Sequence, residues 1–247
     1  MNVLNKSNLA LKDEQFEIIN EAAVKNIIKI SKINDNSKHN YKFYDFIKRS
    51  IDIIGSLVGI ILLIPTTMAI YIARKILKED NCSLFYKQAR YGKNGKIFKL
   101  YKYRSMCKNA DEKLTEYLEQ NEEARKEYKK YKKLKNDPRI TKVGKFLRKT
   151  SLDEFPQFIN VLKGEMSLVG PRPYLERERE DIGYNYNSII TVKPGITGYW
   201  QVNGRNDVDF HDRIYMDTYY IEHRSLIMDI KIIIKTILKI FKKEGAI

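Results

Sequence analysis

The apolar and polar positions of this chain fall into blocks of different period. Ile53 to Ala73 is a continuous apolar run of 21 residues without a charge, long enough by count to cross a bilayer. Upstream, Phe16, Ile19, Ala23, Ile27 and Ile30 recur at three- and four-residue steps. That spacing predicts an amphipathic helix within residues 1 to 30, and the polar stretch SKINDNSKHN from Ser31 to Asn40 reads as a linker after it. From Ser83 to Met106, aromatic or aliphatic residues alternate with basic ones on either side of GKNG, the pattern of a β-hairpin. Asn109 to Lys135 is charge-dense, acidic early and lysine-rich late, an order that suits the dipole of one solvated helix. Leu226 to Lys243 sets Lys231, Lys235 and Lys239 four residues apart among isoleucines and leucines. Such a basic amphipathic helix lies in the interface of an anionic membrane.

Pro65 changes the reading of the long apolar run. Proline removes a backbone donor and breaks or kinks a helix interior. The straight segment before it rises only about 18 Å, short of a hydrocarbon core of roughly 30 Å. Lys48 and Arg49 precede the run, and Arg74, Lys75 and Lys78 follow it. Basic residues at both ends place both ends on the cytoplasmic side. The run therefore reads as a proline-broken, re-entrant helix pair, with a single full crossing as the competing reading.

Forty-six Lys and Arg stand against 31 Asp and Glu, a net charge of +15. This points to polyanionic partners, whether anionic lipid, nucleotide phosphates or nucleic acid. The basic-aromatic hairpin also suits single-stranded nucleic acid. Cys82 and Cys107 lie far apart, and His39, His211 and His223 lack zinc-ligand spacing, so both thiols are expected free and no zinc site is expected. There is no Walker A run, no GxSxG and no cleavable signal pattern at the N-terminus, which favours a cytosolic location for most of the mass.

Candidate chemistry concentrates between Arg148 and Pro173. Asp153 and Glu154 are adjacent carboxylates just before Pro156, which tolerates only the first turn of a helix, so the helix is expected to start near Leu152 to Phe155. Capping is the ordinary use of such a pair. Downstream, Pro171 and Pro173 flank Arg172 and favour a stiff, extended presentation of one guanidinium, a group suited to phosphate. Gly195, Gly198 and Gly204 mark turns where backbone comes close to something. Trp200 is expected in the core, and Asn203 and Arg205 at the last glycine turn are candidates for nucleotide or sugar contact.

Five stretches, KRSID, DPRITKVGKFLRKTSLDEFPQ, MSLVGPRP, KPGITGYWQVNGRND and MDTYYIEHRSLIMDIKI, together resemble the bacterial sugar transferases from Tyr44 to about Lys243. These are polyprenyl-phosphate hexose-1-phosphate transferases of the monotopic phosphoglycosyl transferase kind. The resemblance implies a mostly helical α+β fold on one membrane leaflet. Its expected parts are a variable N-terminal helix and linker (1–40), a re-entrant membrane helix (41–80) and a cytoplasmic catalytic domain ending in an interfacial helix (81–247). It implies transfer of hexose-1-phosphate from a UDP-hexose to undecaprenyl phosphate at the cytoplasmic face of the bacterial inner membrane, as the first step of surface-glycan or exopolysaccharide synthesis. UMP is released and a phosphosugar forms covalently on Asp153. In the same terms Glu154 is a Mg²⁺ ligand and Arg148 and Arg172 neutralise phosphate oxygens. Arg104, Asn203, Arg205, Asp217 and Asp229 fall among the substrate-binding positions, and Lys48, Arg49 and Pro65 are the membrane positions. The chain departs at Ile64, where many members carry a serine whose hydroxyl serves backbone freed by the kink. The subtype points to glucose or galactose. Membrane lipid is a partner, nucleic acid is not, and homo-oligomers are left open. A basic nucleic-acid-binding protein or a membrane scaffold without turnover is the alternative, separated by whether UMP is released.

Overall fold

The computed structural model describes residues 41–79, 82–204 and 208–242. The helix and linker expected in residues 1–40, and Arg205, lie outside the described residues. The chain divides into two units, residues 1–48 and 49–247. The described part is mostly helical, with two two-stranded sheets, as the α+β expectation required.

Helix α1, Tyr41–Ile76, has a mean hydropathy of 2.3 over its most apolar stretch and is long and apolar enough to cross a membrane. The expected break into two helices is not seen, because helical structure continues through Pro65. Side-chain hydroxyls add bonds to the turn before the proline. Thr66 Oγ1 donates to the Leu62 carbonyl at 2.9 Å and Thr67 Oγ1 to that of Leu63 at 2.6 Å. From a neighbouring strand the Tyr103 hydroxyl reaches the same Leu63 carbonyl at 3.3 Å and the Thr67 hydroxyl at 2.5 Å. Two threonines and a tyrosine thus bond the Leu62 and Leu63 carbonyls, one and two residues after Ile61, whose carbonyl Pro65 leaves without its usual donor.

From Arg49 onward one side of α1 is fastened to the rest of its unit. Asp52, Ser56, Leu63, Ile70 and Arg74 are buried. Gly55 and Gly59 face Leu168 and Phe158 so closely that a Cβ at either would overlap those side chains. The other side exposes Ile54, Val58, Ile61, Ile64, Met68, Ile72 and Ile76.

Strands β1 (Phe85–Tyr91) and β2 (Ile97–Tyr103) form the expected antiparallel hairpin, with Tyr91 opposite Ile97. Asn94 and Gly95 take positive φ in the turn between them, the conformation that asparagine and glycine tolerate best. The charge-dense stretch is not one helix. It splits into α2 (Ala110–Gln120) and α3 (Glu122–Tyr131) at Asn121, whose backbone is extended and whose side chain caps α3 by accepting from Ala124 N at 2.9 Å. Asparagine favours such caps over a helix interior. The pair gains its own small core from Leu114, Ala124 and Leu134.

Helix α4 (Lys142–Thr150) and helix α5 (Gln157–Lys163) bracket the candidate chemistry. After them β3 (Ser167–Val169) pairs in parallel with β4 (Gly195–Thr197), and the short helices α6 (Arg179–Ile182) and α7 (Tyr186–Ile189) lie between the two strands in sequence. Helices α8 (Tyr199–Asn203), α9 (Phe210–His223) and α10 (Leu226–Lys242) complete the chain. The main core joins Val169, Tyr174, Ile214, Tyr220 and Ile232. A second core joins Leu63 and Ile70 of α1 to Tyr103, Val143 and Leu147, with Leu152 and Phe155 against it. Helix α10 buries Ile232 and exposes Ile227, Ile230, Ile234, Ile237 and Leu238, the amphipathic division its sequence predicted.

Candidate active site

Asp153 and Glu154 sit in a tight 3-10 turn, Leu152–Glu154, between the end of α4 and the start of α5. Ser151 ends α4 in the left-handed conformation, φ 57, with its N–H turned back to the Leu147 and Arg148 carbonyls. It therefore does not cap the following helix. Pro156 immediately precedes α5, which costs the helix no donor. Leu152 and Phe155, on either side of the carboxylate pair, pack against the cluster that contains Leu63 and Ile70 of α1. The pair is thus seated beside the apolar helix.

Lys102, on β2, supplies the nearest positive charge. Its Nζ lies 2.9 Å from Glu154 Oε1 and 4.0 Å from Asp153 Oδ2. Sequence reading passed over Lys102 in favour of Arg104. The signal was present, since Phe98, Leu100 and Lys102 alternate along one face of β2 and the first two are buried, which leaves a lysine on an apolar stripe. Arg104, beyond the strand end, donates instead to the Ser83 carbonyl at 3.0 Å and covers the Tyr86 ring.

Arg148 arrives from α4. Thr141 caps that helix, Glu79 accepts from Val143 N at 2.8 Å, and Gly144 lies directly on the Ser105 backbone. One turn later Arg148 Nε donates to Ser105 Oγ at 3.0 Å. Burial lowers the Arg148 guanidinium below its usual pKa, and the Asp153 charge draws it back up. Asp153 itself, 13% exposed at the side chain, is raised to about 6, chiefly by burial; Glu154 raises it further, against the lowering effects of Lys102 and Arg148. A carboxylate raised in this way has more basicity than an exposed aspartate. That combination suits a nucleophile or a base.

Arg172 belongs to a separate cluster. Among the described residues its ion pair is with Glu178, at 3.8 Å, and none is with Asp153. Its loop is held by backbone bonds. Gly170 N donates to the Thr197 carbonyl, and the Pro171 carbonyl accepts from Gly195 N, both at 2.9 Å. The Pro173 carbonyl accepts from Arg90 at 2.7 Å. A Cβ on Gly195 or Gly198 would run into the Gly170 backbone, so the expected close approach is to this loop.

Two of the expected substrate positions lie inside the core. Asp217 is wholly buried, and its Oδ2 accepts from Arg172 N at 3.0 Å and from the Tyr174 hydroxyl at 2.8 Å; it fixes the Arg172 backbone. Burial raises its carboxyl to about 7 against the opposing bonds from Arg172 and Tyr174. Asp229 is buried too and accepts from the Tyr220 hydroxyl at 2.7 Å, which joins α9 to α10. Asn203 bridges the Tyr199 carbonyl and Lys235 Nζ, each at 3.0 Å. Arg49, expected at the lipid boundary, donates to the Val161 and Leu162 carbonyls at 2.6 and 2.8 Å and so closes the C-terminus of α5. Lys48, in the N-terminal unit, lies over the Tyr44 ring.

The family profile of the bacterial sugar transferases matches residues 43–243, a span that contains every side chain placed above. The chain belongs to the bacterial sugar transferase family. Among curated relatives it is 47% identical over 201 residues to an undecaprenyl-phosphate galactose phosphotransferase of Salmonella typhimurium, covering 81% of this chain and 42% of that one. It is 45% identical over 220 residues to a UDP-galactose-lipid carrier transferase of Erwinia amylovora, covering 89% and 44%. Against the exopolysaccharide production protein ExoY of Rhizobium meliloti it is 42% identical over 199 residues, covering 81% and 87%. This bacterial sugar transferase thus spans less than half the length of the first two relatives and most of the length of the third.

Proposed function

We propose that this bacterial sugar transferase moves hexose-1-phosphate from a UDP-hexose to undecaprenyl phosphate, an early step in making an exopolysaccharide or other surface glycan. The observation that carries the reading is the largely enclosed Asp153 carboxylate, 13% exposed, flanked by Lys102, Glu154 and Arg148 beside an apolar helix. It is supported by relatives whose names specify undecaprenyl phosphate and UDP-galactose.

In the first half-reaction the Asp153 carboxylate attacks the sugar-bearing phosphorus. The bond from that phosphorus to the bridging oxygen breaks, UMP departs with the oxygen and its electron pair, and the phosphosugar remains on Asp153. A phosphate oxygen of undecaprenyl phosphate then attacks the same phosphorus and expels Asp153 as carboxylate. Each approach brings negative charge onto negative charge, at about 4 kcal/mol per unit pair at 4 Å in a partly buried site. Lys102 and Arg148 offset this at the nucleophile, and Arg172 is suited to the phosphate oxygens.

Among the described residues no three carboxylate, histidine or cysteine side chains gather as a metal cage. Glu154 offers hard carboxylate oxygen beside Asp153, which fits Mg²⁺, an ion that takes one or two carboxylates and fills its shell with water and phosphate. Glu154 would hold the ion, whose charge would favour release of UMP.

The apolar side of α1 and the exposed isoleucines of α10 are proposed to lie in one leaflet at the cytoplasmic face. Helix α1 is fastened to the catalytic unit from Arg49 to Arg74, and a helix crossing the bilayer would need those same rows for lipid. Purified protein with undecaprenyl phosphate and a panel of UDP-sugars tests the reaction. UMP release that depends on Asp153 supports it, whereas UDP as the product nucleotide, or no nucleotide release from any sugar, refutes it.

A further inference from the structure

Away from Lys102, Arg148, Asp153, Glu154 and Arg172, none of which lines it, the described residues surround a hollow of about 420 Å³. Small-molecule sites span roughly 300–1,000 Å³. One wall is a face of α9, where Tyr215, Tyr219 and Glu222 recur at four- and three-residue steps. The other is the turn after α6, which brings up Tyr184 and Asn185. Gly183 makes that turn with φ 58 and ψ −134, a conformation that residues with a Cβ rarely adopt. A Cβ there would meet nothing within 4 Å, so glycine serves the path of the chain and not a need for room.

Two of these tyrosines leave most of their surface in water. Tyr184 is 92% and Tyr215 73% exposed. Among the described residues neither ring has an aromatic or cationic neighbour, and neither hydroxyl, like the Asn185 amide and the Glu222 carboxylate, has a partner. Tyr219, by contrast, stacks on His223 with ring centres 4.2 Å apart and lies 5.1 Å from Tyr199. Open aromatic surface gathered at a hollow marks a place where a ligand packs.

Charge narrows the ligand. Of the eleven residues that line the hollow none is lysine or arginine, in a chain with 46 of them, so a phosphate finds no cation there. Lys132 reaches the edge only to pair with Asp181 at 2.8 Å. A cationic ligand would find one unpaired carboxylate, Glu222, and would face the repulsion of a net charge of +15. What fits is a neutral molecule with an apolar face for the tyrosine rings and hydroxyls for the carboxylate and the amide. A pyranose ring has both, since its axial C–H groups form an apolar face and its equatorial hydroxyls a polar edge.

We infer that the hollow between α9 and the Gly183 turn binds a hexopyranose, alone or within a short oligosaccharide, with Tyr184 and Tyr215 as stacking platforms and Glu222 and Asn185 as hydroxyl partners. The sugar comes from a sugar nucleotide or from a glycan, and the cation-free lining favours the glycan. No step of the proposed reaction is used.

The full-length protein, in a detergent without a sugar headgroup, is titrated with methyl galactoside, methyl glucoside, lactose, UDP-galactose, open-chain sorbitol and tetramethylammonium, and binding is read by saturation-transfer NMR. Saturable binding of a hexoside or of lactose is expected, with none of sorbitol. A hexoside or lactose tighter than UDP-galactose identifies a glycan as the source, and the reverse order identifies the nucleotide. Tyr215→Ala is expected to weaken the sugar about fivefold and Glu222→Gln about tenfold, whereas Tyr215→Phe, which keeps the ring, and Lys129→Gln, an exposed lysine on α3, leave it almost unchanged. No saturable binding of any sugar by the wild-type protein overturns the inference, as does equal binding of sorbitol, binding of tetramethylammonium alone, or sugar binding that neither Tyr215→Ala nor Glu222→Gln weakens. Hexoside binding without UMP release from any UDP-sugar would refute the proposed reaction and leave this site standing; UMP release without hexoside binding would do the reverse.

Discussion

Replacing Lys102 by glutamine should move the pH dependence of the first half-reaction. In the structure the ammonium lies 4.0 Å from Asp153 Oδ2 and is 28% exposed. A unit pair at that distance is worth about 4 kcal/mol at an effective dielectric near 20, and solvent access to Lys102 reduces it by about half. About 2 kcal/mol corresponds to roughly 1.5 pKa units. Removing the lysine therefore raises Asp153 from about 6 to about 7.5, and Glu154, relieved of its partner, pushes in the same direction. Only the carboxylate attacks, so the rate rises with pH through the Asp153 pKa and levels above it. In the wild type the ascending limb is centred near 6, and in Lys102→Gln it shifts alkaline by about 1.5 units, a loss of about fourfold at pH 7. The assay is single-turnover UMP release at saturating UDP-sugar with no lipid acceptor. Omitting the acceptor matters because a phosphate monoester itself titrates near 6. Lys102→Arg should keep the limb close to 6. A limb that stays at 6 in Lys102→Gln would refute the claim that Lys102 sets the basicity of the nucleophile.

Other substitutions test neighbouring parts. Asp153→Asn should abolish UMP release while the protein still sediments with membranes; release near the wild-type rate would remove Asp153 as nucleophile. Glu154→Gln should require more Mg²⁺ for half-maximal UMP release, and an unchanged metal titration would exclude it as a ligand. Gly144→Ala drives a methyl into the Ser105 backbone and should destabilise by about 3 kcal/mol, seen as a lowered thermal midpoint. Tyr103→Phe removes one donor to the Leu63 carbonyl and should cost about 1 kcal/mol, read in the same melt.

How far the sequence disclosed this molecule depended on the range of the interactions. The hairpin, the amphipathic α10 and the turn carrying Asp153 and Glu154 were legible because period, glycine and proline act within a few residues. Asn121 was missed because one capping residue outweighed the helix-favouring charge order on either side of it. The bonding around Pro65 was not legible in full, since one hydroxyl comes from Tyr103, 40 residues from the Leu63 carbonyl. The same holds for Asp217 and Asp229, placed by family position near a substrate and found inside the core. Burial is a tertiary property, and neither residue stands in a local pattern that announces it. Lys102 differs, because its place on an apolar strand face was readable and was passed over for the more familiar arginine.

The membrane helix and the catalytic turn share their supports. Arg49 closes the end of α5, the helix that begins at the catalytic turn. Asp52 Oδ1 accepts from Ser167 Oγ at 2.9 Å and from Leu168 N at 2.8 Å, which ties α1 to β3 just before the Arg172 loop. Tyr103, next to Lys102 on β2, bonds α1 at Leu63, and Glu79, three residues beyond α1, caps α4 ahead of Arg148. Lys102, Arg148 and Arg172 therefore each lie within a few residues of an anchor to α1 or its C-terminal extension, and Leu152 and Phe155 on either side of Asp153 pack against the cluster that holds Leu63 and Ile70 of α1. Burying a polar side chain such as Asp52 just ahead of the apolar run is costly unless it is well bonded, and these bonds lie on the side that faces the catalytic unit. A helix whose only task was anchorage would have no use for them. Their presence is explained if α1 is the floor of the active site, fixing how far the nucleophile stands from the apolar surface where a lipid phosphate would arrive.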